Sequence, residues 1–437
     1  MSKIAVTGSN GFVGGNIANM LLAAGHEVIG LVRSQPAKAL PWKTTVTDLS
    51  SISSIVEATK GCVAIVHSGI ANDFNKLQQN REYAYDSFVG LTQRVTHAAN
   101  KNGAQIIYIS TGWVMDGAGH MALESDTGNP VNFYGVLKSL GEQVIRDLAP
   151  DTGVIARVDG VMGIHQTLEV GPRTQDVGFG YFASALVADL KAGKTFTVFG
   201  GDLVNKVTAP SLASEIGAQV ERIIARKVHG TFHLVGDDAI NRMDYARLIC
   251  EIFELDKTLL REAAPSIEDQ FPGQVPVDTS LSNLATKKAL GIGPTSLRDL
   301  LIALKTEIDT GKIGSFNTPA EIGFALPRKN SGVVLGHASG ATLRNSDGSE
   351  TALPSWSDAE SEPLKTPVRW NDAKVSPHGE LFAGTMAFDG AKDAGSLYKF
   401  SKDGKNITKL LSPVSISNGL DWSPDGSHFY YIDTLTM

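Results

Sequence analysis

Short apolar runs alternate with longer amphipathic ones through the first three hundred residues. Residues 4–7 form an apolar-rich run, and residues 12–22 repeat their apolar positions at helical spacing. Residues 27–32, 44–47, 63–67 and 105–110 predict four further strands. Residues 81–100 predict one long helix with Phe88, Leu91, Val95 and Ala98 on one face, and Asn132 opens another helix. Strands alternating with helices of this length predict an α/β fold, a doubly wound parallel sheet with helices on both faces. Further on, residues 178–191 and 213–225 predict helices and 195–199 a strand. After Lys312 the helical periodicity stops, and short strands with NSDG, FDG, KDG and PDG turns replace it. The stretch Ser376-Pro-His-Gly to Phe382 repeats as Ser423-Pro-Asp-Gly to Phe429 at an offset of 47 residues. A period of ~40–50 residues with strand texture predicts propeller blades, here about two. The chain thus divides into residues 1–315, with a substrate portion mainly at 161–310, and an all-β propeller fragment at 316–437.

The joint between the first strand and the first helix carries the first chemistry. The run KIAVTGSNGFVGG places Gly8, Gly11 and Gly14 between them. Such glycines permit a tight turn, close approach of a phosphate, and close packing of helix on strand. The helix amides and dipole then face a pyrophosphate, so a dinucleotide is the expected ligand. Asn10 and Phe12 belong to the same turn, while Ser68 and Gly69 leave room after the fourth strand. In parallel sheets of this kind the ligand lies beyond the carboxyl ends of the strands. Arg33 ends the second strand there, and a cation at that place tilts the choice from NAD to NADP. Asp48, followed by Leu49, ends the third; the carboxylate could bond the adenine or cap the helix near Ser50. His67 reads as a packed strand-end histidine.

Thr111 follows the fifth strand, and Tyr134 and Lys138 lie four residues apart on the next helix, which puts both on one face. An ammonium beside a phenol should lower its pKa, and a phenol so tuned can exchange a proton with a substrate oxygen. Lys138 could also hold the nicotinamide ribose, and Thr111 could fix the reacting oxygen. A Tyr-x-x-x-Lys pair alone is weak, since it recurs at Tyr398 and Lys402 in strand-like surroundings. The ordered set of glycine turn, Thr111, Tyr134 and Lys138 is what carries the reading. His165, Arg173 and Gln175 lie in a polar loop that could face a sugar or phosphate, or could simply be solvated.

Composition narrows the class. A net charge of −7, with no long Lys/Arg run, argues against nucleic acid as a partner. No apolar run reaches the ~18–20 residues of a membrane span, so no membrane partner is expected. Two cysteines, Cys62 and Cys250, each in an apolar segment, fit a reducing compartment, and a cytoplasmic location is the default expectation.

The ordered set resembles the extended short-chain dehydrogenase/reductase family of nucleotide-sugar epimerases, dehydratases and reductases. TGSNGFVGG resembles its T-G-x-x-G-x-x-G turn and YGVLKSLGE its Y-G-x-x-K-x-x-G-E helix. STGWVMDG is similar to the S-T-D-Y-V-F-D-G of the dTDP-4-dehydrorhamnose reductase branch, as are ARVDGVMG, AGKTFTVFG, VTAPSLASEIG and GTFHLVG. The resemblance covers about residues 3–310. It implies catalysis by Thr111, Tyr134 and Lys138, an NADP or NAD cofactor, a sugar-like small-molecule substrate, and a homodimer. Gly112, Trp113, Met115 and Ser87 depart from the family pattern. Residues 320–437 resemble the gluconolactonase/senescence-marker family, through VRWNDAKVSPHGELFAGTM, GSLYKF and ISNGLDWSPDGSHFYYIDT. That resemblance implies Asn418 as a metal ligand, with Arg369, Asn371 and Asp372 facing substrate. A glutamate ligand near the start of that region has no match, so the metal site is expected to be incomplete. Two rival readings follow: a lactone hydrolase carried by the C-terminal piece, and a cofactor-binding regulatory subunit without turnover.

Overall fold

The computed structural model describes residues 2–36, 39–69, 71, 74–166, 175–311, 322–328, 332–338, 340–345, 349–362 and 364–434. Six strands, β1 (Lys3–Thr7), β2 (Glu27–Val32), β3 (Lys43–Val46), β4 (Ala64–His67), β5 (Gln105–Thr111) and β6 (Gly153–Val158), lie in one parallel sheet in the order 3-2-1-4-5-6. A seventh strand, Gly230–His233, extends it beside β6. The near-continuous apolar runs of β1, β4 and β5 suit strands covered on both faces. On one face α1 (Phe12–Ala23) and the helix Ala213–Arg226 bury Ile17, Leu21, Ile216 and Val220 against Ile4 and Val6. On the other, Ile55 of α2 (Ile52–Ala58), Val95 and Ile145 pack against Ile29, Ile65 and Ile106. Each fully buried aliphatic side chain is worth roughly 1.5–3 kcal/mol. These two layers therefore carry the fold.

The strand order reverses between β1 and β4, which opens a crevice at their carboxyl ends. Thr7 pairs with His67, and His67 with Tyr108, in one row along that edge.

Two predicted helices differ in the structure. Residues 81–100 form α4 (Arg81–Tyr85), a π-helical turn at Asp86–Gly90 and α5 (Leu91–Asn102) instead of one regular helix; a shorter helix, α3 (Phe74–Gln79), precedes them. The Asp86 carboxylate lies along the turn, against Gly90, to pair with Arg94 at 2.6 Å, and a side chain at residue 90 would collide with it. The helix expected at 178–191 begins only at Phe182, because Phe179 and Tyr181 adopt left-handed backbone angles. The helix after β5, α6 (Phe133–Leu148), starts as predicted, with Asn132 Oδ1 accepting from the Gly135 amide at 2.9 Å.

The chain forms two compact units, residues 1–316 and 317–437. The second unit consists of antiparallel sheets: four strands within residues 322–352, four within 368–414, and the hairpin Ser417–Trp422 with Phe429–Asp433. This is two blade-like sheets and part of a third. The two repeats seen in the sequence become equivalent turns, each joining two paired strands. Trp370 is fully buried at their core, edge-on to Trp356 and Tyr398. Among the described residues, no helix is long and apolar enough to cross a membrane.

Candidate functional site

The glycine turn folds as its sequence predicts. Gly11 N donates to Gly8 O at 2.9 Å, and α1 begins at Phe12 with no side chain capping it. Its first amides are thereby available to an anion. Gly8 has φ +68°, and a side-chain carbon there would stand 2.8 Å from Gly69 Cα. At Gly14 it would stand 2.3 Å from Gly8 O. These contacts explain why the turn needs glycine, and they leave a bare backbone cradle. Ser68 closes its floor by donating to Thr7 O at 2.7 Å. Beneath it, Thr92 donates to Phe88 O, which leaves its oxygen to accept from His67 Nε2 at 3.2 Å. His67 Nδ1 then accepts from the Thr7 hydroxyl at 2.8 Å. Burial holds this imidazole down to about 3, so it is a neutral packing group, as expected.

Thr111, Tyr134 and Lys138 converge on the wall of a cavity of about 490 Å³, which Phe12 and Ser68 of the cradle also line. Thr111 and Tyr134 hydrogen-bond through their side chains. The Tyr134 ring is held edge-on by Phe88 and Trp113, with centroids 6.0 Å away in each case. Lys138 is buried; its ammonium donates to Ile109 O at 2.6 Å and lies 4.2 Å from the Tyr108 ring centroid. Here the sequence expectation is corrected. Burial pushes the Tyr134 phenol up to about 12, with Thr111 opposing and the Asp176 charge adding to the rise. Burial also pulls Lys138 down to about 7, against the pull of Glu142. The ammonium faces a carbonyl and a ring instead of the phenol, so it does not depress the phenol's pKa.

Behind the lysine, Glu142 accepts from Ser110 Oγ at 2.6 Å and from Arg157 at 2.9 and 2.8 Å. This buried pair joins α6 to β6, and so fixes the helix that carries Tyr134 and Lys138.

Four carboxylates at the cavity, Asp159, Asp176, Glu268 and Asp269, escaped the sequence reading. Asp159, at the end of β6, is buried and accepts from Thr208 at 2.5 Å and Thr279 at 2.8 Å. Burial raises its pKa to about 7 despite these donors. It stands 3.1 Å from where a side chain on Gly112 would begin. That contact accounts for glycine in place of the family aspartate. Asp176 lines the cavity from the loop before Phe182. The motif ARVDGVMG contained the first signal; the second had none beyond an acidic residue in a glycine-rich loop.

Other predicted residues are dispersed. Arg33 is exposed at the end of β2, and Asn10 is exposed in the glycine turn. Asp48 accepts from the Ser50 amide and hydroxyl at 2.9 and 2.6 Å, and the cap of α2 is Ser51. The Leu49 side chain packs on the core, and its carbonyl accepts from Arg94 at 2.8 Å. His165 stacks on Phe12. Gln175 is buried and bonds Thr197 O and Arg242, which excludes it as a solvated loop residue. Arg173 lies outside the described residues.

In the second unit Asn418 is exposed and donates to Thr434 Oγ1 at 3.4 Å. Asp372 accepts from the Gly419 amide at 2.7 Å, and Asn371 donates to Ser417 O. A hard divalent ion needs about six or more oxygen ligands. One amide oxygen beside an occupied carboxylate does not fit it. Among the described residues, no group of three His, Cys, Asp or Glu side chains could hold a metal.

Residues 2–310 match the model of the RmlD substrate binding domain, and residues 303–437 match the SMP-30/Gluconolactonase/LRE-like region. A probable low-salt glycan biosynthesis reductase of Haloferax volcanii is 27% identical over 305 residues, covering 69% of this chain and 96% of that protein. Regucalcin of Danio rerio is 36% identical over 130 residues, 29% of this chain and 42% of the relative. The chain therefore spans less than half the length of that relative. Among solved structures, the fold is similar to dTDP-4-dehydrorhamnose reductase of Bacillus anthracis in complex with NADP. That likeness has a TM-score of 0.56 and 18% identity, over 70% of this chain and 99% of that one. It is also similar to the UDP-glucose 4-epimerase of Thermotoga maritima with UDP-glucose, with a TM-score of 0.59 and 17% identity over 71% and 99%. With the glycine cradle and the Thr-Tyr-Lys wall in place, the family assignment closes: the chain belongs to the RmlD substrate binding domain family, and a segment similar to the SMP-30/Gluconolactonase/LRE-like region follows.

Proposed function

We propose that residues 2–310 form an NAD(P)H-dependent reductase acting on a carbonyl carbon of a nucleotide-linked sugar. One observation carries the reading: Thr111, Tyr134 and Lys138 line the same cavity as the bare-backbone cradle. The name of the Haloferax relative and the nicotinamide and nucleotide-sugar ligands named for the structural neighbours support it. The cradle fits a dinucleotide, with Gly8, Gly11 and Gly14 holding the pyrophosphate and Lys138 the nicotinamide ribose. A bound nicotinamide supplies the hydride.

The protein's own groups supply the rest. Thr111 orients the carbonyl oxygen. Tyr134, whose pKa stands near 12, is a protonated phenol at neutral pH, and so it is already the acid that a developing alkoxide needs. Lys138, whose ammonium meets the Ile109 carbonyl and the Tyr108 ring, is assigned to the ribose alone. Replacing Tyr134 with Phe should lower turnover by about 10²–10⁴-fold and leave the quenching titration of NADPH unchanged. Full activity of Tyr134→Phe would overturn the assignment. Arg33→Ala should erase any preference for NADPH over NADH in the same titration. For the second unit, the lack of a metal-ligand cluster among the described residues counts against lactone hydrolysis. Acid release from gluconolactone on addition of Ca²⁺ or Zn²⁺ would reverse that conclusion.

A further inference from the structure

We propose that Asp176 reads the sugar: its carboxylate accepts hydrogen bonds from ring hydroxyls beside the carbon served by Tyr134, and so selects a neutral hydroxylated sugar over a carboxylated one. This rests on the reductase reading and names the sugar class that the cavity takes. Asp176 is exposed to the cavity that Thr111 and Tyr134 line. Its Oδ1 accepts from the amides of Gly178 and Gly180, each at 2.7 Å, and its own amide donates to Gly180 O at 3.2 Å. These bonds set the rotamer of the carboxylate before any ligand arrives. A side chain at Gly180 would stand 2.0 Å from Oδ2, so glycine there keeps the second oxygen accessible.

The loop itself is anchored. Buried Arg242 donates to Asp176 O at 3.1 Å and to Gln175 at 3.3 Å, and lies 4.2 Å from the Phe179 ring centroid. Gly178 packs on the Trp113 ring, which in turn packs on Tyr134. The chain of contacts therefore links Asp176 to the reacting phenol through one aromatic side chain. The phenol responds to it, since the Asp176 charge helps hold Tyr134 protonated. A carboxylate on a hydrogen-bonded loop suits sugar recognition: it accepts from hydroxyls and repels a second carboxylate.

The test is calorimetric titration of the full chain, saturated with NADP⁺, by UDP, UDP-glucose and UDP-glucuronate, with dTDP and dTDP-glucose in parallel. The wild-type chain should bind the glucose conjugates at least about 10-fold tighter than the bare nucleotides, and tighter than UDP-glucuronate. Asp176→Asn should lose that gain and the discrimination against glucuronate, while binding UDP and dTDP as before. Asp176→Glu should recover part of both. Three results would each overturn the proposal: no gain from the sugar in the wild type, an intact gain in Asp176→Asn, or an equal loss for the bare nucleotides. These affinities need no turnover and can be repeated in Tyr134→Phe. Failure of the reductase reading would show separately, as a fully active Tyr134→Phe variant.

Discussion

Lys138 is pulled in opposite directions by its surroundings. Burial disfavours the ammonium, while the Ile109 carbonyl, the Tyr108 face and the Glu142 charge favour it; the result is a pKa of about 7. An anionic cofactor beside Lys138 favours the charged form. Binding then takes up a proton wherever the free lysine is neutral. NADPH affinity should therefore fall as pH rises above about 7, and Lys138→Met should flatten that slope in fluorescence titrations from pH 6 to 9. Removing the ring face by Tyr108→Leu should cost about 1 kcal/mol of NADPH binding at neutral pH, with Tyr108→Phe close to wild type. Asp159 gives a stability signature of its own. Its pKa rises from 3.8 in the unfolded chain to about 7 in the fold. The native state therefore binds the extra proton between these values, and this contribution is fully present below pH 4 and lost as pH rises through 7. Asp159→Asn should remove that slope from denaturant midpoints measured across pH 4–8. The pattern of residues placed Tyr134 and Lys138 on one helix, where both line the cavity, but got the phenol's shift backwards, because the sign depends on burial that no spacing reveals.

Elements succeed or fail here according to whether local pattern or distant contact decides them. The first five parallel strands and α1 fall within a residue or two of their predicted limits, since alternating apolar runs and glycine stops specify them locally; Gly153–Val158 and Gly230–His233 had not been predicted as strands. The π-helical turn at Asp86–Gly90 was not legible, because it rests on an ion pair eight residues apart and on Arg94 reaching Leu49 O. The late start of the helix at Phe182 depends likewise on Asp176 capturing two amides. The Glu142–Arg157 pair binds α6 to the sheet with both side chains shielded from water. Arg157→Met leaves the buried Glu142 carboxylate to Ser110 and the half-exposed Arg146, and should cost about 1.5–3 kcal/mol in urea unfolding. Because α6 carries Tyr134 and Lys138, the proposed acid and ribose-binding residues, the same variant should also lose turnover at temperatures where it remains folded.

On the scale of the whole molecule, the two units have separate hydrophobic cores, one centred on the parallel sheet and one on Trp370. Calorimetry should resolve two unfolding transitions. Trp370→Ala should lower only one of them, by about 3–5 kcal/mol, and leave NADPH binding intact. A single transition shifted as a whole by that variant would contradict independent cores. The 47-residue repeat made the blade texture readable, because each blade repeats the same turn chemistry between strands.

What the sequence determined by itself is the first five strands, the glycine turn and the placing of Tyr134 and Lys138 on one helix, all of which arise from contacts a few residues apart. What only tertiary structure decided is where the charges lie and what surrounds them. Asp159 and Asp176 reach the cavity from loops distant in the chain from Thr111, and the raised phenol and lowered lysine follow from water excluded by Phe88, Trp113 and Tyr108. Desolvation is a property of packed volume, and packed volume exists only once the chain has closed on itself.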